Sequence, residues 1–366
     1  MKLNEKVSWL MGRLQRSLFP NLEQCCVSPL SQQEKHLVKI LEIVEIERHI
    51  PKSRQWTGRP AAERRAIGRS YVAKAVFGYP HTRSLINELR GRPNLRLICG
   101  FSKQQDVPSE STFSRAFAEF ANFKLGTVVH DALVHDYLHD ELIGHVSRDS
   151  TAIIGREKAA KKEKRVKVPR KRGRPAKGEH RPPPEVKRLG RQVEQEPAAA
   201  LAELPQVCNR GTKRNAKGYQ ESWNGYKLHA DVNDTMLPLS VALTSASVHD
   251  SQVAIPLIKL TSSKVRYCYD LMDAAYDAKQ IRQQSQALGH VAIIDRNPRR
   301  GGSLPMCPHE AKRYNERSSV ERFNGRLKEE YGGRNVMVRG PAKVMMHLMF
   351  GVVALFADQL IRLTGS

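Results

Sequence analysis

The chain has 366 residues, a hydrophobic content of 40% and a formal net charge of +24. That length and apolar content can fill a sizeable core of two or three domains and exclude wholesale disorder. The excess of cations calls for a polyanionic partner, nucleic acid first, although ribosomal and surface-binding proteins share the signature.

Residues 1–145 read as mostly helical. Apolar residues recur at three- and four-residue spacing in HLVKILEIVEIERHI and again in STFSRAFAEFANFKLGTVVHDALVHDYLHDEL. The opening MKLNEKVSWLMGRLQRSLF is broken by charges every few residues and lacks a signal-peptide core, which predicts an intracellular, cytoplasmic protein. Pro108 stops one segment, and Ser109 or Ser111 offers an N-cap for the next helix. A helix, a turn and a capped helix in a basic chain make either a DNA-binding element or a plain helical bundle, and spacing does not choose between them. The six cysteines form no C-x-x-C pair, which argues against a zinc ribbon and for reduced thiols.

VSRDSTAII, residues 146–154, is short and rich in β-branched residues and reads as a strand with one acid, Asp149. The stretch from about 156 to 218 departs from both patterns. Its first part, residues 156–191, holds 16 Lys/Arg and 4 Glu, a net of +12 in a tenth of the chain. Such a block cannot bury a core and predicts a flexible basic insertion. Within it, RGRP puts Arg172 and Arg174 where an AT-hook would insert two arginines into a narrow A·T minor groove, although a generic phosphate-binding tail explains the same residues.

Strands and helices then alternate. YKLHADVN and LPLSVALTSA read as a hairpin, DSQVAIPLIKLT as a helix with Asp250 as N-cap, and VRYCYDLMD as a strand ending on Asp273. YDAKQIRQQSQALG is a helix closed by Gly289, HVAIIDRNP another strand, and AKVMMHLMFGVVALFADQLIRL a final apolar helix. Its longest uninterrupted apolar run, MFGVVALFA, is too short for a bilayer and suits a buried helix, so no membrane is expected. The order fits a mixed sheet with helices on its faces, entered from a helical N-terminal domain at 1–145 and continuing as a second domain over 146–366.

Between the last strand and the final helix lies YNERSSVERFNGRLK. On one helix, Tyr314, Arg317, Glu321 and Lys328 stand at offsets 0, 3, 7 and 14 and share a face roughly 60° wide. Val320, Phe323 and Leu327 fall on the opposite side. Solvated i,i+4 pairing would account for the segment alone. Its company argues for more: Asp149 in the first strand and Asp273 at the carboxyl end of a later one, where open α/β sheets build their sites. Three carboxylates meeting there require a divalent cation, and hard Mg²⁺ prefers such oxygen ligands. Asp250, Asp277 and Asp295 read more simply as helix caps and a surface strand end.

These residues resemble the DDE transposases of bacterial insertion sequences. RDST is similar to their first-Asp strand, LMDAAYD to their second-Asp motif D-x-x-Y-D, and Tyr314, Arg317, Glu321 and Lys328 match their Y-(2)-R-(3)-E-(6)-K signature without a gap. The helical YPHTRSLINELRGRPNLRLICGF…VPSESTFSRAF and the GYKLHADVN…SVHDSQ hairpin and turn resemble further parts of the family, so the resemblance covers roughly residues 75–360. It implies an RNase H-like catalytic domain, with Asp149, Asp273 and Glu321 binding Mg²⁺ (or Mn²⁺ in its place). It further implies that Tyr314, Arg317 and Lys328 hold DNA phosphates near the cut. The partners it implies are double-stranded DNA, as terminal inverted repeats and target, and a second copy of the chain. The place is the bacterial nucleoid. An RNase H-like nuclease without strand transfer, or a domesticated DNA-binding regulator, would share much of this pattern. Some relatives carry a large β-rich insertion before the glutamate that serves a DNA-hairpin step. Here only 47 residues separate Asp273 from Glu321, and the extra segment follows the first strand instead.

Overall fold

The computed structural model describes residues 3–13, 15, 19–51, 62–160, 186–214, 217–296 and 305–364. Arg172 and Arg174, with most of the expected basic block, lie outside them.

The N-terminal region is helical, as its spacing predicts: α1 (Leu3–Arg13), α2 (Phe19–Cys25), α3 (Gln32–Val44), α4 (Arg64–Val76), α5 (Thr82–Gly91), α6 (Pro93–Cys99), α7 (Glu110–Asn122) and α8 (Leu125–Leu138). Ser31 begins α3 with a full capping box, accepting from the Glu34 backbone N–H while Glu34 accepts from the Ser31 N–H. Ser109 does stand at the N-cap position of α7, but its hydroxyl turns to Ser111 and Thr112 instead of the helix backbone.

The sheet comprises β1 (Leu142–Ile154), β2 (Asn209–Arg214), β3 (Gln220–Asn233), β4 (Pro238–Ser245), β5 (Arg266–Met272) and β6 (Val291–Ile294). The strand order is β2-β3-β1-β5-β6, with β4 also paired to β3. β1, β5 and β6 run parallel, and β3 is antiparallel to β1, β2 and β4, so the sheet is mixed as expected. Helices α9 (Arg188–Gln192), α10 (Pro197–Ala202), α11 (Ser251–Ser262) and α12 (Lys279–Ala287) follow in the chain, then α13 (Pro308–Tyr314), α14 (Ser318–Glu329) and α15 (Pro341–Leu363). Packing puts α11 against β3 and β4 and α12 against β6, while α14 packs on β1 and β3.

Two expectations need correction. The stretch 156–218 is not uniformly an unfolded arm: its later part contributes α9, α10 and β2, because Gln192 Nε2 donates to the Gln252 carbonyl (2.8 Å) and β2 finds a ladder partner in β3. And the segment from Tyr314 to Lys328 is not one continuous helix: a 3₁₀ turn, Asn315–Arg317, separates α13 from α14. The apolar stripe survives the break, with Val320, Phe323 and Leu327 fully buried.

One hydrophobic cluster runs from Val7 through the N-terminal helices to the α14 face of the sheet, across the expected boundary at 145/146. Its centre is α15, which packs against α3, α4, α7 and α8. By length and composition α15 could cross a bilayer, but in this fold nearly all of it is buried inside the protein. Arg326 of α14 ties the two layers, pairing with Asp358 of α15 and donating to Gln359 Oε1 at 2.9 Å. Asp358 in turn pairs with His36 of α3 at 2.9 Å.

Lys74 of α4 is carried into this interior, in a cavity lined by Tyr71, Phe117, Tyr331, His347 and Phe350. Burial lowers its pKa from 10.5 to about 8. A base whose pKa falls on folding is bound less strongly by protons in the folded chain. Its penalty is therefore full below about pH 8 and vanishes above the unfolded value. Lys74→Met should raise the melting temperature at pH 7, by roughly 2–3 kcal/mol of stability, and leave it unchanged near pH 11. An equal gain at both pH values would mean that packing, not charge, sets the effect.

Candidate active site

The parallel register aligns Arg148 of β1 with Met272 of β5, so the residues that follow, Asp149 within β1 and Asp273 at the carboxyl end of β5, stand side by side where the ladder between the two strands ends. Successive side chains alternate between faces. Ser147 and Asp149 face the α13–α14 side, where Ser147 Oγ donates to the Glu316 carbonyl at 3.2 Å. Arg148 points to the other side and is fully buried. Its guanidinium forks onto Asp231 of β3, its direct ladder partner, at 2.7 and 2.5 Å, and reaches Asp270 of β5 at 3.2 Å. Thr261 donates to Asp231 at 2.6 Å and Ser285 to Asp270 at 2.7 Å. A buried ion network of this kind adds little net stability, but it is costly to break and tolerates one register only. A slip of one residue would turn Asp149 away from its face.

Burial, together with Asp273 and Asp250, pushes the Asp149 pKa up to about 7 against the opposing Ser150 N–H and Arg317. Asp273 is raised by burial and then by Asp250 and Asp295, while the Ala275 N–H and Arg317 act the other way. Its Oδ1 accepts from Ala275 N–H at 2.9 Å, which fixes the turn after β5. Burial and neighbouring carboxylates thus disfavour the charged form of both acids.

The available cation is Arg317. Burial works against its charge, but Tyr314, Asp149, Glu321 and Asp273 together outweigh this and raise its pKa. It pairs with Glu321 one turn further on, and its guanidinium carbon lies 5.8 Å from the Tyr314 ring centre. Tyr314 is half-buried, its pKa raised by burial and by Asp295 and Asp273. Glu321 itself is 55% exposed, and Arg317 is its ion-pair partner. Lys328, partly buried, is pushed down by burial and by the nearby Lys213 and Arg334. Thus Asp149, Asp273, Arg317 and Tyr314 are gathered, Glu321 borders the group through Arg317, and Lys328 stands further along α14. Among the described residues no three His, Cys, Asp or Glu side chains stand close enough to hold a metal ion. The oxygen-only donors of Asp149 and Asp273 nevertheless suit a hard divalent cation.

Asp250 does more than its sequence position suggests. It precedes α11 but makes no side-chain cap bond. Its Oδ1 accepts from Ser150 Oγ at 2.8 Å and from Lys227 Nζ at 2.9 Å, and its pKa falls because His229, Lys227 and Ser150 outweigh its burial. Asp277 pairs with Arg282 of α12 at 3.2 Å. Asp295, exposed beyond β6, contributes to the field at Asp273. The available signal was the strand YKLHADVN, which puts Lys227, His229 and Asp231 on one face of a central strand where apolar residues are the rule.

Two family profiles match the chain: the Transposase DDE domain over residues 202–357 and the Transposase domain (DUF772) over residues 26–119. Together they cover well over half of it. The chain belongs to the DDE transposases. The match to the DDE domain of this transposase includes Asp273 and Glu321 and begins after β1; Asp149, outside it, is set beside Asp273 by the strand register of β1 with β5. No curated protein and no solved structure matches the chain.

Proposed function

We propose that this transposase binds the terminal inverted repeats of an insertion sequence, hydrolyses a phosphodiester at each end to expose a 3′-OH, and joins that end to target DNA. The observation that carries the reading is the pair Asp149 and Asp273 on adjacent parallel strands, faced by Arg317 and Tyr314. Asp149 and Asp273 would hold Mg²⁺, or Mn²⁺ in its place, with Glu321 completing the set once Arg317 releases it. A bound divalent ion would activate the attacking oxygen and stabilise the leaving one. The chain's own residues supply the rest. Arg317, freed from Glu321, and Lys328 grip phosphates on either side of the cut, and the Arg148 network keeps the two aspartates abreast. Arg172 and Arg174 of the basic block add contacts in or along A·T-rich DNA. Handling two DNA ends calls for two copies of the chain, acting at the nucleoid.

Purified protein incubated with Mg²⁺, a labelled duplex copied from the DNA flanking its gene and a supercoiled plasmid tests this reading. Release of 3′-OH ends and their covalent transfer to the plasmid is the expected result. Cleavage without joining would reduce the protein to a nuclease.

A further inference from the structure

Resting on that reading, we infer that the β2–β3 hairpin is a preformed DNA grip that extends the phosphate track from Lys328. β1 follows β3 only as far as Gly225, so Gln220–Asn224 pair with β2, in register from Asn209↔Gly225 to Arg214↔Gln220, and the arm projects past the end of β1. Arg210, Lys213, Lys217 and Tyr219 on this arm are all exposed. An exposed two-stranded arm is marginal unless its base is fixed, and this one is fixed at two glycines. Trp223 lies over Gly211, 2.6 Å from where a Cβ would stand, and its Nε1 donates to the Tyr226 carbonyl at 3.1 Å. A Cβ on Gly225 would stand 2.0 Å from the Ile153 carbonyl oxygen, so only glycine lets β3 pass β1 at this point.

Charge identifies the occupant. Burial first, and then the charges of Lys213 and Arg334, disfavour the ammonium form of Lys328, so the arm and α14 lie within each other's field. Elements more than a hundred residues apart in the chain thus bring like charges together. Besides the buried Asp149, which favours the Lys328 ammonium, the compensating carboxylates are surface ones: Glu221 at 3.7 Å from Lys213, and Glu329 paired with Arg334. Exposed pairs of this kind hold their cations weakly. A row of phosphates relieves the repulsion, and a stiff arm binds it without an ordering penalty. The partner is duplex DNA, held by its backbone and not by its bases.

Fluorescence anisotropy of the full-length protein on the flanking-repeat duplex and on a scrambled duplex, measured over a range of salt, tests this. Lys213→Ala should weaken both complexes by about fivefold and lower the slope of log affinity against log salt by about 0.9, with an unchanged thermal melt. Lys213→Glu should weaken them further. Unaltered affinity and slope in Lys213→Ala, with wild-type protein binding normally, would overturn the inference and leave the transposase reading standing. Weakening confined to the repeat duplex would overturn backbone contact in favour of base reading. Wild-type protein that ignores both duplexes would sink the proposed function and the hairpin's role together.

Discussion

Asp149→Asn, Asp273→Asn and Glu321→Gln are each expected to cut divalent-metal-dependent cleavage of terminal DNA by on the order of a thousandfold or more, about 4 kcal/mol of barrier. DNA binding should persist, since removing a negative charge beside phosphates does not weaken their attraction. Gel-based cleavage rates and anisotropy on the same duplex separate the two properties. Glu321 is the more exposing test of the three. In this fold its carboxylate is held by Arg317, outside the aspartate pair. Cleavage by Glu321→Gln at the wild-type rate would remove it from the set and leave Asp149 and Asp273 as the metal-binding acids.

Substitutions on the two sides of α14 should divide cleanly. Phe323 is fully buried between helix and sheet, and Phe323→Ala should cost about 3–5 kcal/mol, roughly 5 °C in melting temperature for a chain of this size. Lys328→Ala should leave the melt within about 1 °C, because the lysine's charge is disfavoured where it stands, yet reduce transposition on the order of tenfold. Calorimetry together with a transposition assay decides the matter. A large melting loss in Lys328→Ala with none in Phe323→Ala would mean that the helix faces the other way.

The parts of the site that the sequence made legible are those whose signals are local. Val320, Phe323 and Leu327 repeat at helical spacing, and the β-branched run around Asp149 and the strand before Asp273 announce themselves over a few residues. What stayed hidden depends on partners distant in the chain. Arg148 reads as one more cation until the register sets it opposite Asp231 and near Asp270. Asp250 has the position of a helix cap, and only the fold brings Ser150 and Lys227 to it. The β2–β3 arm escaped because alternation of apolar and polar residues marks strands that face a core, and this arm projects away from one. The 3₁₀ turn at Asn315–Arg317 left no mark on the spacing, since a single tightened turn moves the following face only slightly.

The placement of α15 has a bearing on how the protein is made. Chains emerge from the ribosome N-terminus first, and segments usually fold as they appear. Here the N-terminal helices surround a helix, Pro341–Leu363, that is translated long after them. They have no centre to close upon until that helix has been made. A gene copy interrupted before residue 341 would therefore yield a product with an exposed apolar groove, destined for proteolysis. Decayed copies would fall silent instead of leaving a DNA-binding fragment to compete with intact ones.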